Sequence, residues 1–514
     1  IAAMLGLDPE RSWAHLTSGG TVANTEALWV ARTVRYLPHL VRDVATRLGL
    51  DLPSPLQPEG DLLGIDPTTA LESFTALFAA ARTHWPEPQA VDRVIEALET
   101  SEFNVTEQGV AALARRIGSE PVILVPESYH YSLPKIADLL GLGRRSMVTV
   151  PVDARFRMLP AALESTIDEL EGKGRHILAV VAVLGTTEEG AIDPLHEIQA
   201  LRDRRQAAGR PAFWLHADAA YGGYLRTMLI PERMGLGEPV REVEIDDRQV
   251  RLPLVFPDEA ALRALEALAG CDSVTVDPHK LGYVPYPAGA VCFRSNLVKP
   301  LLRQDAPYIE PEVGDPEQES HSDKIGVYIL EGSRPGAVAA SVWLSHSTIP
   351  LDASGHGRLV QHTIRNACEL HGLLEHWGEV CRESAAQAVT LCPPDSNILC
   401  YAFRPSRGAS LADINQLNNH LFEHFSLRPE ERGQVYGHSF FVSRTVLSAR
   451  HYRPETVQPF LQRLGVTQAS YAEQGVVLLR STLMNPWLSE TRHHGQDFLV
   501  RLVDELFRKA EELC

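Results

Sequence analysis

The chain has 514 residues and sets 48 Lys and Arg against 66 Asp and Glu, a formal charge of −18. That balance excludes a basic nucleic-acid face, and 44% hydrophobic with 22% charged residues excludes a disordered or fibrous protein. The longest apolar run, 177–184, is far below the ~20 residues of a membrane-spanning helix.

The chain opens on Ile1 with no signal-peptide pattern, so an N-terminal segment is expected to be missing from it. A glycine-rich stretch, Thr17-Ser-Gly-Gly-Thr-Val-Ala-Asn24, leads into a helical run over 25–35. A mainly helical insertion with a Pro-rich middle is expected over 37–106. From about 120 to 295, apolar β-rich runs (121–125, 147–152, 176–184, 213–217, 273–276 and 290–293) alternate with helix-period segments at 133–140, 159–171 and 195–208. Strands apolar on both faces, separated by helices, predict an α/β fold with a mostly parallel central sheet. Segment 225–258 reads as an irregular, charged insertion, and 303–324 as a long mobile loop. After a helix over 335–347, helices at 359–377, 411–425 and 495–512 mix with short strands, which predicts a smaller α+β domain. The expected division is a large domain over 1–349 and a small one over 350–514.

Glycines and small hydroxyl residues at a helix start leave backbone N–H groups free for an anion such as phosphate, although a ligand-free N-cap has the same composition. In Phe213-Trp-Leu-His-Ala-Asp218 an apolar strand ends on a carboxylate, where open α/β sheets bind ligands. Such an aspartate can hold a proton on a heterocyclic nitrogen, or simply cap the next turn. Only six lysines are present (135, 173, 280, 299, 324 and 509), and Lys280 alone follows a strand end. The other five read as solvated. A partly desolvated lysine is an amine nucleophile. Phosphate nest, strand-end carboxylate and strand-end amine together suit pyridoxal phosphate.

The ordered motifs Ser18-Gly-Gly-Thr-x-Ala-Asn24, Ser128-Tyr-His-Tyr-Ser132, Gly185-Thr-Thr187 with Gly190-Ala-Ile-Asp193, His216-x-Asp-Ala-Ala-Tyr-Gly-Gly223 and Asp277-Pro-His-Lys280 carry a resemblance. The chain resembles the group II pyridoxal-phosphate-dependent amino-acid decarboxylases of fold type I, the aspartate aminotransferase-like fold. Two stretches are most similar to the bacterial tyrosine decarboxylases: Asp277-Pro-His-Lys-Leu-Gly-Tyr-Val-Pro-Tyr-Pro-Ala-Gly289 and 328–343.

The resemblance implies pyridoxal 5'-phosphate as cofactor, with Lys280 as the Schiff-base lysine and Asp218 on the pyridine nitrogen. His130 and Ala220 would cover the two ring faces. Gly20, Thr21 and His279 would contact the phosphate, and Thr186 the ring substituents. It implies a homodimer with its site at the interface, although the N-terminal segment that helps lock such dimers is not in this chain; the cytoplasmic location is expected from the cysteines, none of which forms Cys-x-x-Cys. Segment 331–336 is expected near the site, with Arg334 serving a phosphate or carboxylate. Tyr308, on the loop after the lysine, is the expected proton donor, with Tyr286 as the fallback. Tyr283, Tyr286 and Trp487 point to an aromatic substrate, and Ser481 is a candidate pocket residue; plain packing is the alternative for Tyr286 and Ser481. The rival activities are decarboxylation of glutamate or another amino acid, oxidative deamination to an aldehyde, and cofactor binding without catalysis.

Two patterns are set aside. Seven cysteines without a Cys-x-x-Cys motif read as reduced thiols. His420-Leu-Phe-Glu-His424 matches an inverted zinc-protease motif, but Leu417, Leu421, Phe422 and Phe425 continue an amphipathic stripe through it, so no metal is expected.

Overall fold

Seven strands form the main sheet of the computed structural model, which describes residues 1–51, 61–245, 248–304, 320, 325–381, 384–427 and 439–514. They are β1 (Trp13–Thr17), β2 (Pro121–Pro126), β3 (Met147–Val150), β4 (His176–Val183), β5 (Trp214–Asp218), β8 (Ser273–Val276) and β9 (Gly289–Phe293). A separate hairpin of β6 (Val240–Ile245) and β7 (Arg248–Pro253) precedes β8. The order in the sheet is β1-β9-β8-β5-β4-β2-β3, and only β9 pairs antiparallel to its neighbours.

Alternation along the buried strands builds two cores. Val122 and Leu124 face one side with helices Pro160–Gly172 and Leu195–Ala207, while Ile123 and Val125 face the other. That second side is covered by α1 (Gly20–Leu48) and by helices Pro67–His84 and Gln89–Glu99. Each fully buried leucine or valine there contributes ~1.5–3 kcal/mol.

Three features differ from expectation. Strand β1 is hidden in the sequence because His15 and Thr17 occupy inward positions that usually hold apolar residues. Helix α1 runs through Pro38 to Leu48, since Leu37, Val41, Val44 and Ala45 keep its inner face buried past the proline. The stretch 225–258 contains the β6–β7 hairpin, whose inward row is Arg241, Val243 and Ile245. Arg241 is buried there because it pairs with Glu369 and Asp497, so a charge masks the alternation.

A four-stranded antiparallel sheet follows, ordered β10 (Ala386–Thr390), β11 (Ile398–Pro405), β13 (Val476–Thr482), β12 (Ser443–Leu447). Helix His356–Cys381 joins the two cores: Val360, Ile364 and Cys368 pack under the large sheet, and Leu370, Leu373, Leu374 and Trp377 under the small one. Asp395 locks the sheets together by accepting from Arg155 Nη2 at 2.6 Å, Arg157 Nε at 2.6 Å and the Ile192 N–H at 3.2 Å.

Leu417, Leu421 and Phe425 are buried in the small-sheet core. Among the described residues, no group of three or more His, Cys, Asp or Glu is placed to hold a metal, and no helix is long and apolar enough to cross a membrane.

Candidate active site

A cavity of about 500 Å³ opens where β4, β5 and β8 end, and Val183, Asp218, Asp277 and Lys280 line it. Tight crossings bring these ends together. Gly185 leaves β4 with φ of 88°, and a Cβ on Gly222 would stand 2.3 Å from the Leu184 carbonyl oxygen, so only glycine fits there.

The opposite wall is the start of α1. Ser18, Gly19, Gly20 and Thr21 line the cavity, and no acidic side chain occupies the helix's first turn. The helix's own first turn therefore leaves its positive dipole end facing the cavity. A Cβ on Gly20 would approach Asp277 Oδ2 to 2.9 Å and Ala220 Cβ to 3.1 Å, so the cradle depends on that glycine. The Ser18 N–H donates to Glu331 Oε2 at 2.9 Å, and Arg334 lies 3.6 Å from that oxygen. Segment 331–336 thus reaches the cavity rim through Glu331, while Arg334 is turned to this carboxylate.

Lys280 is the only lysine lining the cavity among the described residues, with its side chain 31% exposed. Its Nζ lies 3.0 Å from Asp277 Oδ2. Burial pushes the Asp277 carboxyl above its ordinary range, Lys280 opposes that shift, and Asp277 Oδ1 has no partner. The expectation that the other lysines are solvated fails at Lys299, which is 1% exposed with its ammonium 4.6 Å from the Tyr328 ring centroid.

His130, Ala220 and His279 also line the cavity. The Ser132 N–H donates to His130 Nδ1, which places the proton of the neutral ring on Nε2; burial lowers the pKa of this imidazole. His279 Nδ1 donates to the Ala288 carbonyl at 2.5 Å, and the Tyr286 ring, 72% exposed at the cavity mouth, stands 3.7 Å from the His279 ring.

Two candidates sit one residue from the wall. Thr186 is fully buried, donating to Glu189 Oε2 at 3.0 Å and accepting from the Ala191 N–H, while Gly185 and Thr187 line the cavity. Ser481 is buried with its hydroxyl 3.0 Å from the Tyr401 hydroxyl, and Arg480 lines the cavity instead. Successive strand residues face opposite ways, so Arg480 and Ser481 cannot both do so. Tyr283 ties the post-lysine loop to the small-sheet side through its hydroxyl on the Met484 carbonyl at 3.0 Å. Trp487 is exposed outside the wall, and Tyr308 lies outside the described residues.

Glu189 adds a pH-dependent element beneath Thr186. Burial is the main cause that pushes its carboxyl up to about 7; Glu188 adds to the shift, and donors from Tyr452 and Thr186 oppose it. A carboxyl raised in the folded state contributes stability fully below its unfolded value near 4.5 and loses it as pH rises to about 7. Glu189→Gln is expected to flatten the decline of unfolding free energy between those pH values, as measured by urea titration; an unchanged slope would contradict it.

These groups fit pyridoxal phosphate: an anion cradle, a buried carboxylate, an accessible amine, and an imidazole and an alanine on the wall, in a cavity of suitable size. Residues 97–238 match the pyridoxal-dependent decarboxylase conserved domain, and 367–503 the tyrosine decarboxylase C-terminal domain. The L-tyrosine decarboxylase of Enterococcus faecium is 34% identical over 491 residues, covering 93% of this chain and 73% of that protein. The chain belongs to the pyridoxal-dependent amino-acid decarboxylases.

The L-tyrosine decarboxylase of Levilactobacillus brevis is 30% identical over 507 residues, 95% of this decarboxylase and 72% of the relative. Two solved structures share its fold. The apo form of mouse CSAD superposes with a TM-score of 0.60 at 18% identity, covering 99% of this chain and 74% of that one. Oryza sativa TDC with PLP and tryptamine gives 0.56 at 16% identity, with the same coverage. The decarboxylase is therefore a fold type I α/β enzyme whose cofactor is pyridoxal phosphate.

The sequence did not single out Asn24, which lines the cavity from the second turn of α1. Nor did it single out Asp277, the partner of Lys280.

Proposed function

We propose that this decarboxylase removes the α-carboxylate of L-tyrosine or a closely related aromatic L-amino acid, releasing the amine and carbon dioxide. The observation that carries the reading is the convergence of Lys280, Asp218 and the α1 start on one cavity, in a chain similar to two L-tyrosine decarboxylases. Lys280 would hold the cofactor's aldehyde carbon, Asp218 its ring nitrogen, and Gly20, Thr21 and His279 its phosphate. His130 and Ala220 would bound the ring faces. When bound, pyridoxal phosphate supplies an electron sink for the pair left on Cα as the carboxylate departs. Thr186 acts on the wall from behind, through Glu189, with Thr187 at the surface. Arg480 reaches the cavity from β13 without an acidic partner among the described residues and would orient the α-carboxylate. Ser481 would act behind it by fixing Tyr401. Comparing kcat/KM for tyrosine, phenylalanine, dopa, tryptophan and glutamate tests the assignment: an aromatic preference supports it, and a glutamate preference overturns it.

Cα then needs a proton. Tyr308 is the proposed donor on the family resemblance, with Tyr286 as alternative because it stands at the mouth over His279. Tyr308→Phe is expected to bind cofactor normally, release amine slowly and divert turnover to aldehyde with oxygen consumption. Unchanged amine turnover would move the role to Tyr286.

We also propose a homodimer with the site at its interface. Helix Gly336–Thr348 buries only Val342 and leaves Trp343 70% and Leu344 61% exposed, and it follows directly on the segment that reaches Ser18. A second copy covering this apolar face accounts for its composition. Trp343→Asp with Leu344→Asp is expected to sediment as an inactive monomer; a surviving dimer would refute the interface. The proposed domain division at 349/350 rests on the two separate sheets, the helix His356–Cys381 that follows it bridging their cores. A cytoplasmic location is supported by the free buried thiols of Cys271, Cys292, Cys368 and Cys400.

A further inference from the structure

A buried chain of hydrogen bonds ends on Asp218. The Trp214 Nε1–H donates to Ser273 Oγ at 2.8 Å, and Ser273 Oγ lies 2.9 Å from His216 Nδ1. His216 Nε2 lies 3.0 Å from Asn24 Oδ1, and Asn24 Nδ2 donates to Asp218 Oδ2 at 2.8 Å. The other oxygen, Oδ1, accepts from the Ala220 N–H at 3.3 Å. All five side chains are buried.

The fold assembles this chain simply. Trp214, His216 and Asp218 alternate with Leu215 and Ala217, so they share the β5 face on which α1 packs. Ser273 is the parallel-register neighbour of His216 on β8, and Asn24 comes from the second turn of α1.

Its direction is forced from both ends. An indole N–H only donates and an ionised carboxylate only accepts, so every group between them must pass one hydrogen bond onward. Ser273 takes from Trp214 and gives to His216 Nδ1, which leaves the imidazole proton on Nε2, facing Asn24 Oδ1. The opposite tautomer would need Asn24 reversed, setting its carbonyl oxygen against the carboxylate. Burial pushes the His216 imidazole down to about 4, so the ring relays as a neutral group.

We propose that Trp214, Ser273, His216 and Asn24 form a one-way hydrogen-bond relay that holds the Asp218 carboxylate fixed toward the cavity, with Asn24 and His216 as positioning residues. The proposal rests on the reading of Asp218 as the partner of the cofactor's ring nitrogen. A donated bond favours the charged form of a carboxylate, and a neutral relay provides it without adding a competing cation. Because all of these side chains are buried, breaking any link leaves a polar group unsatisfied, so the effect travels to the carboxylate.

The test compares binding of pyridoxal phosphate with its 1-deaza analogue, in which C–H replaces the ring nitrogen, by equilibrium fluorescence titration of apo-protein. Wild type is expected to prefer pyridoxal phosphate at least ~10-fold, about 1.4 kcal/mol. Ser273→Ala removes one atom three hydrogen bonds from the carboxylate, and Trp214→Phe keeps the ring but removes the donor. Both are expected to shrink the preference to ~3-fold or less, with analogue affinity nearly unchanged. A general packing defect would weaken both ligands alike, leave the ratio intact and overturn the relay. Asp218→Asn separates the premises: a wild-type ratio in that variant refutes the reading of Asp218 itself. Loss of the ratio there, with its survival in Ser273→Ala, refutes only the relay.

Discussion

Lys280→Ala is expected to abolish the visible absorption band of bound cofactor and to cut multiple-turnover amine formation on the order of a thousandfold or more. Among the described residues no other lysine lines the cavity, so none replaces its amine. Lys173 and Lys509 are paired on the surface with Glu169 and Glu512, Lys299 is buried over Tyr328, and Lys135 lies over the Tyr131 ring. The substitution also strips Asp277 of its cation. Lys280→Arg separates the two effects, because it keeps a positive charge beside Asp277 but supplies no nucleophilic amine at neutral pH. Both variants are expected to lose the band and the turnover, with the arginine variant melting nearer to wild type. Borohydride reduction of the wild-type holoenzyme is expected to tag the peptide carrying Lys280; a tag on another lysine would refute the assignment.

Asp218→Ala is expected to leave a folded protein that binds cofactor weakly and turns over at least roughly a hundredfold more slowly, in line with removing a preorganised charge from a buried site. The carboxylate is buried and held by Asn24 and the Ala220 amide, so under the proposed role it would meet a ring nitrogen without reorganising. Asp218→Glu keeps the charge but displaces it by a methylene, and is expected to retain more activity than the alanine variant. Circular dichroism and kcat measured on the same preparations separate misfolding from lost chemistry. Wild-type kcat in Asp218→Ala would contradict the role.

Much of this architecture is legible in the residues. Stretches such as 177–183 are apolar at every position, which identifies a sheet covered on both faces, and their carboxyl ends point to the site. Where inward positions are polar the signal fails. His15 pairs with Glu26 at 2.8 Å inside the fold, and Arg241 is buried against two carboxylates, so β1 and β6 lack apolar alternation. At the cavity, Lys280 stands out because the chain has only six lysines, and Asp218 and the glycine cradle because they fall at a strand end and a helix start. The wall is harder to read because strand and turn geometry decides which neighbour faces inward. The motif Gly185-Thr-Thr187 does not reveal that Thr187 lines the cavity while Thr186 turns to Glu189, nor does Arg480-Ser481 reveal its inward member. The relay to Asp218 joins residues 24, 214, 216 and 273, a partnership that only the packing of α1 on β5 and β8 creates.

The central claim is that this chain, with pyridoxal phosphate, splits the α-carboxylate from an amino acid. Turnover of L-tyrosine labelled with carbon-13 in the carboxyl group tests it most directly. The label is expected to leave as carbon dioxide in a one-to-one ratio with the amine, without oxygen uptake, and neither product is expected with Lys280→Ala. Label retained in the organic product, or aldehyde formed by the wild type with matching oxygen consumption, would contradict it.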